Sequence, residues 1–233
     1  MSAIFKREFK SYFTTPIGFV IVAAFTLFSA MFFSVIFAAG APEVNNVISA
    51  MSTVAIFATP FITMRLFSDE RRQKTDQALL TAPVKVSGIV LGKFFAALSL
   101  FALGFAATLI YQLVVSFYVS VNWLIYLYAL IGMLLLGAVM ISIGMFISSL
   151  TESAIISAAL TFVVFLSITF LGSYASSINS TALQSVASAI AFMDRFPGFC
   201  TGILNLTDII YMVSVTALFI FLTARSVEKR RWA

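Results

Sequence analysis

"FFAALSLFALGFAATLIYQLVVSFYVSVNWLIYLYALIGMLLLGAVMISIGMFISS", residues Phe94 to Ser149, holds no charged side chain and decides the solvent in which this chain folds. A bilayer crossing takes roughly 20 helical residues at about 1.5 Å each, so the run is too long for one crossing. It must turn back on itself, and the polar break available is Ser120-Val121-Asn122-Trp123. Asn is a turn former, and Trp123 with Tyr118, Tyr126 and Tyr128 supplies the aromatic belt of a membrane surface. The reading is a tight hairpin between spans over 94–119 and 124–149. Barrel strands are excluded, because they run only about 9–11 residues and alternate polar with apolar positions.

The whole chain agrees with this passage. Of its 233 residues 61% are hydrophobic, 26 are Phe and 10% are charged, and the mean hydropathy is +1.08. Soluble domains are roughly 45–50% apolar and about 25% charged. Working outward from the hairpin, further spans are expected over 16–39, 47–66, 154–171 and 209–224. The expected fold is an all-α polytopic membrane protein, one domain over 1–233 with six transmembrane helices. Thr15 is placed to cap the first span, with Pro16 at its first position, where a missing N–H costs nothing. Pro60 lies inside the second span and is expected to kink it.

Before the first span, Phe5, Phe9 and Tyr12 recur at helical spacing while Lys6, Arg7 and Lys10 stay polar. That pattern suits a helix over 1–15 lying in the headgroup region, with a merely basic N-terminus as the alternative. Ala39-Gly40-Ala41 offers the small residues of a signal cleavage site, but the apolar run before it exceeds the roughly 7–15 residues of a signal peptide. The segment is read as uncleaved. Between the second and third spans lies "RLFSDERRQKTDQALLTAPV", Arg65 to Val84, the most highly charged passage in the chain, at the start of a loop over 67–93. Short loops rich in Lys and Arg stay cytoplasmic. With the N-terminus, this loop and the C-terminal tail on one side, 13 of the 14 basic residues share a face, and Arg195 alone falls on the other. Both termini are therefore expected in the cytoplasm. The net charge of +5 is read as contact with anionic lipid, not nucleic acid.

Catalysis finds no footing. The chain has no His, which removes His-dependent metal sites and Ser–His pairs. Gly88 to Phe94 is one residue short of a phosphate loop and lacks its Ser or Thr, so Lys93 reads as a basic stop at the membrane surface. The spans hold essentially no ionisable residue away from their ends, which disfavours a proton- or sodium-coupled carrier. Energy for any transport must then arrive through a partner. In the charged loop, Ser68 or Asp69 can start a helix with Asp69 and Glu70 in its first turn, and Glu70 stands four residues before Lys74. Ala78, Leu79 and Leu80 gather before Pro83 stops it. The segment is either a solvated amphipathic loop on lipid or a docking helix that fits a groove in another protein.

Pro60-Phe61-Ile62-Thr63-Met64-Arg65-Leu66-Phe67, then Asp69-Glu70-Arg71, Thr75, and Leu79-Leu80-Thr81-Ala82-Pro83-Val84 resemble the signature of type-2 ABC transporter permeases, particularly the group that includes the gliding-motility permease. The resemblance extends to Phe5 through Phe13 with Pro16, and to Phe192, Phe196, Phe199, Gly202, Asp208 and Tyr211. Lys74 departs from it, standing where the family commonly carries Gly. Such a resemblance implies a non-catalytic permease subunit of the bacterial cytoplasmic (inner) membrane, paired with a second permease copy or paralogue. It implies separate ABC ATPase subunits that bind the ATP and Mg, so this chain needs no cofactor of its own. It also implies an interfacial N-terminal helix carrying Phe5, Lys6, Arg7, Phe9 and Lys10. The ATPase-coupling helix would carry Asp69, Glu70, Arg71, Lys74, Thr75, Gln77, Leu79 and Leu80, and re-entrant helices would fall within 172–208. Leu183, Val186, Ile190 and Met193 form an apolar stripe there. Ala138 with Ser142, and Gly144 with Ser148, have the spacing for close helix approach, between two copies or within one. A non-transporting anchor that recruits a soluble partner is the alternative function.

Overall fold

The computed structural model describes residues 2–40, 43–72, 86–174 and 190–231. In chain order the α-helices are α1 (Ser2–Thr14), α2 (Pro16–Ala38), α3 (Val44–Thr63), α4 (Ser68–Arg72), α5 (Val86–Gly104), α6 (Ala106–Ser116), α7 (Trp123–Leu150), α8 (Ala154–Tyr174), α9 (Pro197–Cys200) and α10 (Leu206–Arg231), with a 3₁₀ turn over Phe192–Arg195 before α9. Among the described residues there is no strand, and six helical stretches are long and apolar enough to cross a membrane. The third of these runs Val86–Ser116 and comprises α5 and α6.

The expected hairpin forms where the polar break demanded it. Asn122 sits extended at the N-cap of α7, and its side chain accepts the Leu124 N–H at 3.0 Å. α7 is the centre of the molecule, packed most extensively against α10 and α3. Its small residues let neighbours approach: Gly132 seats Phe199, Gly137 seats the Phe101 ring, and Gly144 seats Thr63. Ala138, Ser142 and Ser148 are buried within the same chain. The close-approach positions are thus used between helices of one copy.

Three local expectations change. Thr15 occupies the cap position of α2 but makes no capping bond there. Its hydroxyl instead donates back to Ser11 O at 3.1 Å, because the end of α1 lies within reach of the same side chain. The third membrane-length stretch is already helical at Val86, where the described residues resume, and is interrupted at Phe105. Lys93, expected as a basic stop at a wet helix end, is instead buried with carboxylate partners. Pro60 lies inside α3 as expected. Gly40 follows α2 with φ +76°, a left-handed conformation that glycine adopts without strain.

Candidate functional site

α1 presents Phe5, Phe9 and Phe13 at four-residue spacing; Phe5 stacks on Phe9, Phe9 tilts against Phe13, and Phe13 meets Phe19 of α2 edge-to-face, at centroid distances of 5.9, 5.3 and 5.3 Å. Lys6 and Lys10 stay exposed on the other side. Tyr12 fixes the helix to the end of α3, its hydroxyl donating to Ile62 O at 2.9 Å. Burial pushes the Tyr12 phenol far above its ordinary pKa, and the charge of Glu8 adds to the effect, so it remains a neutral donor.

On this platform α1, α4 and α5 bring four charges together. Arg7 Nη2 donates to Glu8 Oε1 at 2.6 Å and to Glu70 Oε1 at 3.2 Å. Lys93 Nζ donates to Glu70 Oε1 at 2.9 Å and to Leu66 O at 2.7 Å, and lies 3.4 Å from Glu8 Oε1. It also stands over the Phe67 ring, 5.1 Å from the centroid. An ammonium has three protons, and three oxygens surround this one. Lys93 is only 1% exposed, and that full set of partners is what allows a cation to sit so deep. The hydrogen bond that Arg7 donates to Glu8 leads the effects that raise the Arg7 pKa above its usual value. A cavity of about 350 Å³ opens beside the cluster, between α1 and the start of α4.

Of the sequence-derived coupling residues, the structure brings Glu70 into this cluster. Asp69 faces Arg65 at 3.5 Å. Arg71 reaches the far end of α7, donating to Leu150 O at 2.5 Å and pairing with Glu152 at 2.7 Å. Lys74, Thr75, Gln77, Leu79 and Leu80 lie outside the described residues, as does the Glu70 and Lys74 pairing. Lys93 was missed as a partner of Glu70, and Glu8 as the second carboxylate beside Lys93. The available signal was a lone Lys inside an apolar helix, which calls for a carboxylate from elsewhere.

Ser148 of α7 secures the start of α4. Its Oγ accepts the N–H groups of Phe67 at 3.1 Å and Ser68 at 3.3 Å, and donates to Met64 O at 3.2 Å. Replacing Ser148 with Ala would leave two buried donors without this acceptor. The expected cost is about 2 kcal/mol, measured as an earlier thermal transition of the detergent-solubilised protein. A transition unchanged from the parent would show that Ser148 does not secure α4.

The residues around α9 make a second knot at the other end of the bundle. Phe192, Phe196 and Phe199 are buried. Arg195 Nη1 donates to Asp208 Oδ1 at 2.9 Å, and its guanidinium lies 4.1 Å from the Tyr211 ring centroid. Cys200 is a buried free thiol beside a cavity of about 540 Å³ lined by Glu43, Asn46, Gln112 and Asn122 among others. Leu183 and Val186 of the expected stripe lie outside the described residues, Ile190 is exposed and Met193 packs on the core. Among the described residues, no group of three or more His, Cys, Asp or Glu side chains could hold a metal ion.

No curated protein matches the chain. Residues 1–193 match the ABC-2 type transporter family, a stretch that takes in α1, five of the six membrane-length helices and the charged cluster they carry. This multi-pass membrane protein therefore belongs to the ABC-2 type transporter family.

Proposed function

We propose that the chain is the permease subunit of an ATP-driven transporter of the bacterial inner membrane, working with separate ATPase subunits and a second permease copy or paralogue. Both termini and the 65–93 region face the cytoplasm, as the distribution of Lys and Arg favours. The ATPase docks on the segment from Asp69 to Leu80. Asp69, Glu70 and Arg71 start the docking helix, Lys74, Thr75 and Gln77 continue it, and Leu79 and Leu80 supply its apolar end. We place the chain with the group that includes the gliding-motility permease, which the residues around its charged loop resemble.

One observation carries this reading: Glu70, at the start of the docking segment, is tied by ion pairs to Arg7 of α1 and to Lys93 of α5. A push on the segment is thereby passed to the N-terminal helix and to a membrane-length helix together. The interfacial role of α1 is supported by its half-buried phenyl row and exposed lysines. The re-entrant reading of the stretch before α10 is supported by Phe199. That ring packs on Gly132, nine residues or about 14 Å into α7.

The test is co-purification with an ATPase, followed by ATP hydrolysis in reconstituted vesicles. Leu79→Ser/Leu80→Ser is expected to abolish complex formation, and the charge reversals Glu70→Lys and Arg71→Glu to remove substrate-stimulated hydrolysis. Intact complex formation and stimulation in these variants would overturn the docking assignment. Binding without any cargo movement in wild-type vesicles would favour a membrane anchor.

A further inference from the structure

The cavity beside Arg7, Glu8 and Lys93 does not end at polar residues. A groove of about 390 Å³ runs between α2 and α3, with Val20, Ala24, Phe28, Val54 and Phe57 in its walls and no charged side chain. Ile17 and Phe61 line both spaces, so a polar chamber and an apolar furrow meet along one wall. From Pro16 to Phe28 the furrow follows twelve residues of α2, about 18 Å. That is close to the depth of one hydrocarbon leaflet, about 15 Å. Head and tail volumes in this order, at one end of membrane-length helices, have the shape of a membrane lipid.

The charges indicate which lipid. Arg7, Arg65 and Lys93 line the chamber together with Glu8, Asp69 and Glu70, three cations against three anions. Arg7, Glu8, Glu70 and Lys93 bind one another closely. Arg65 and Asp69 form a separate pair, Nε to Oδ2 3.5 Å, in which both side chains stay open to the chamber, 49% and 37% exposed. We propose that this chamber and furrow bind one phospholipid with a zwitterionic, primary-amine head group, its phosphate on Arg65, its ammonium on Asp69 and one acyl chain along the furrow. A guanidinium matches phosphate geometry with paired N–H donors. A primary ammonium donates hydrogen bonds to a carboxylate, and a quaternary ammonium has none to give. An anionic head group would bring uncompensated charge into a neutral lining beside Asp69.

The purified full chain, without ATPase, is placed in nanodiscs of equal parts phosphatidylethanolamine, phosphatidylcholine and phosphatidylglycerol, and retained lipid is read by native mass spectrometry. Phosphatidylethanolamine is expected to be retained roughly tenfold over each of the others, the difference worth one charge-assisted hydrogen bond. Arg65→Gln/Asp69→Asn is expected to erase the preference. Val20→Trp, at a position 64% exposed, fills the furrow without touching the core and is expected to lower retention of the preferred lipid. Equal retention of the three lipids, a preference for phosphatidylglycerol, a preference surviving Arg65→Gln/Asp69→Asn, or undiminished retention in Val20→Trp overturns the proposal. Because no ATPase takes part, failure here leaves the docking reading standing, and failure of docking leaves this site standing.

Discussion

Lys93→Met is expected to destabilise the protein by about 3–5 kcal/mol, the cost of removing one partner from a buried ion pair. Lys93 is 1% exposed, while its partners Glu8 and Glu70 are 15% and 20% exposed at the side chain. Without the ammonium, Glu8 and Glu70 lose their buried cation and the Leu66 carbonyl loses its donor. Arg7 still bridges the two carboxylates, but from a side chain 55% exposed it does not fill the buried position of Nζ. The triple change Glu8→Gln/Glu70→Gln/Lys93→Met removes the buried charges together and is expected to recover most of the loss, since the one ion left without its partners, Arg7, is 55% exposed and solvated. Thermal unfolding in detergent reads both variants. A Lys93→Met protein that melts with the parent would mean that the cluster contributes nothing. If the triple variant folds yet no longer stimulates a bound ATPase, the cluster transmits motion as well as holding the fold.

The second large effect is expected at Gly137. A Cβ there would overlap the Phe101 ring, which is fully buried and already packed against Phe25 and Phe105 at 5.6 and 5.1 Å. Gly137→Leu is expected to cost about 3 kcal/mol and Gly137→Ala about 1–2 kcal/mol, because neither ring nor helix has room to retreat. Phe101→Leu vacates that space, so the pair Gly137→Ala/Phe101→Leu is expected to be less damaging than the two single changes summed. A double-mutant cycle on melting measures this coupling. Strict additivity would show that the two positions do not meet.

The parts of this molecule legible in its sequence are those written in neighbouring residues. The uncharged run from Phe94 to Ser149 could only be a hairpin, and Asn122 caps the helix that the break predicts. The spacing of Phe5 and Phe9 foretold a stacked row on one side of a helix. Ser68, Asp69 and Glu70 marked the start of α4 through capping and dipole chemistry alone. What escaped depends on distant segments meeting. Lys93 looked like a surface stop because Glu8 lies on another helix and Glu70 is 23 residues back. Arg195 seemed an isolated charge until Asp208 and Tyr211 closed around it. The break at Phe105 follows Gly104, a weak helix former visible in the sequence, while the Phe25 ring that packs on that glycine was not visible there.

That break bears on how the third crossing can move. Phe105 ends one helical rod and begins another, and its ring is wedged between Phe25 and Phe101, with centroids 5.1 Å away in each case. Beyond it, Thr108 is tethered to Tyr126 through their hydroxyls at 3.0 Å. The inner rod is anchored by Lys93 and the outer by Tyr126, so the crossing is a jointed strut with three phenyl rings as its bearing. Torque applied at one membrane face would load that joint, because α5 is held to α7 by Phe101 against Gly137 and α6 by Thr108 against Tyr126.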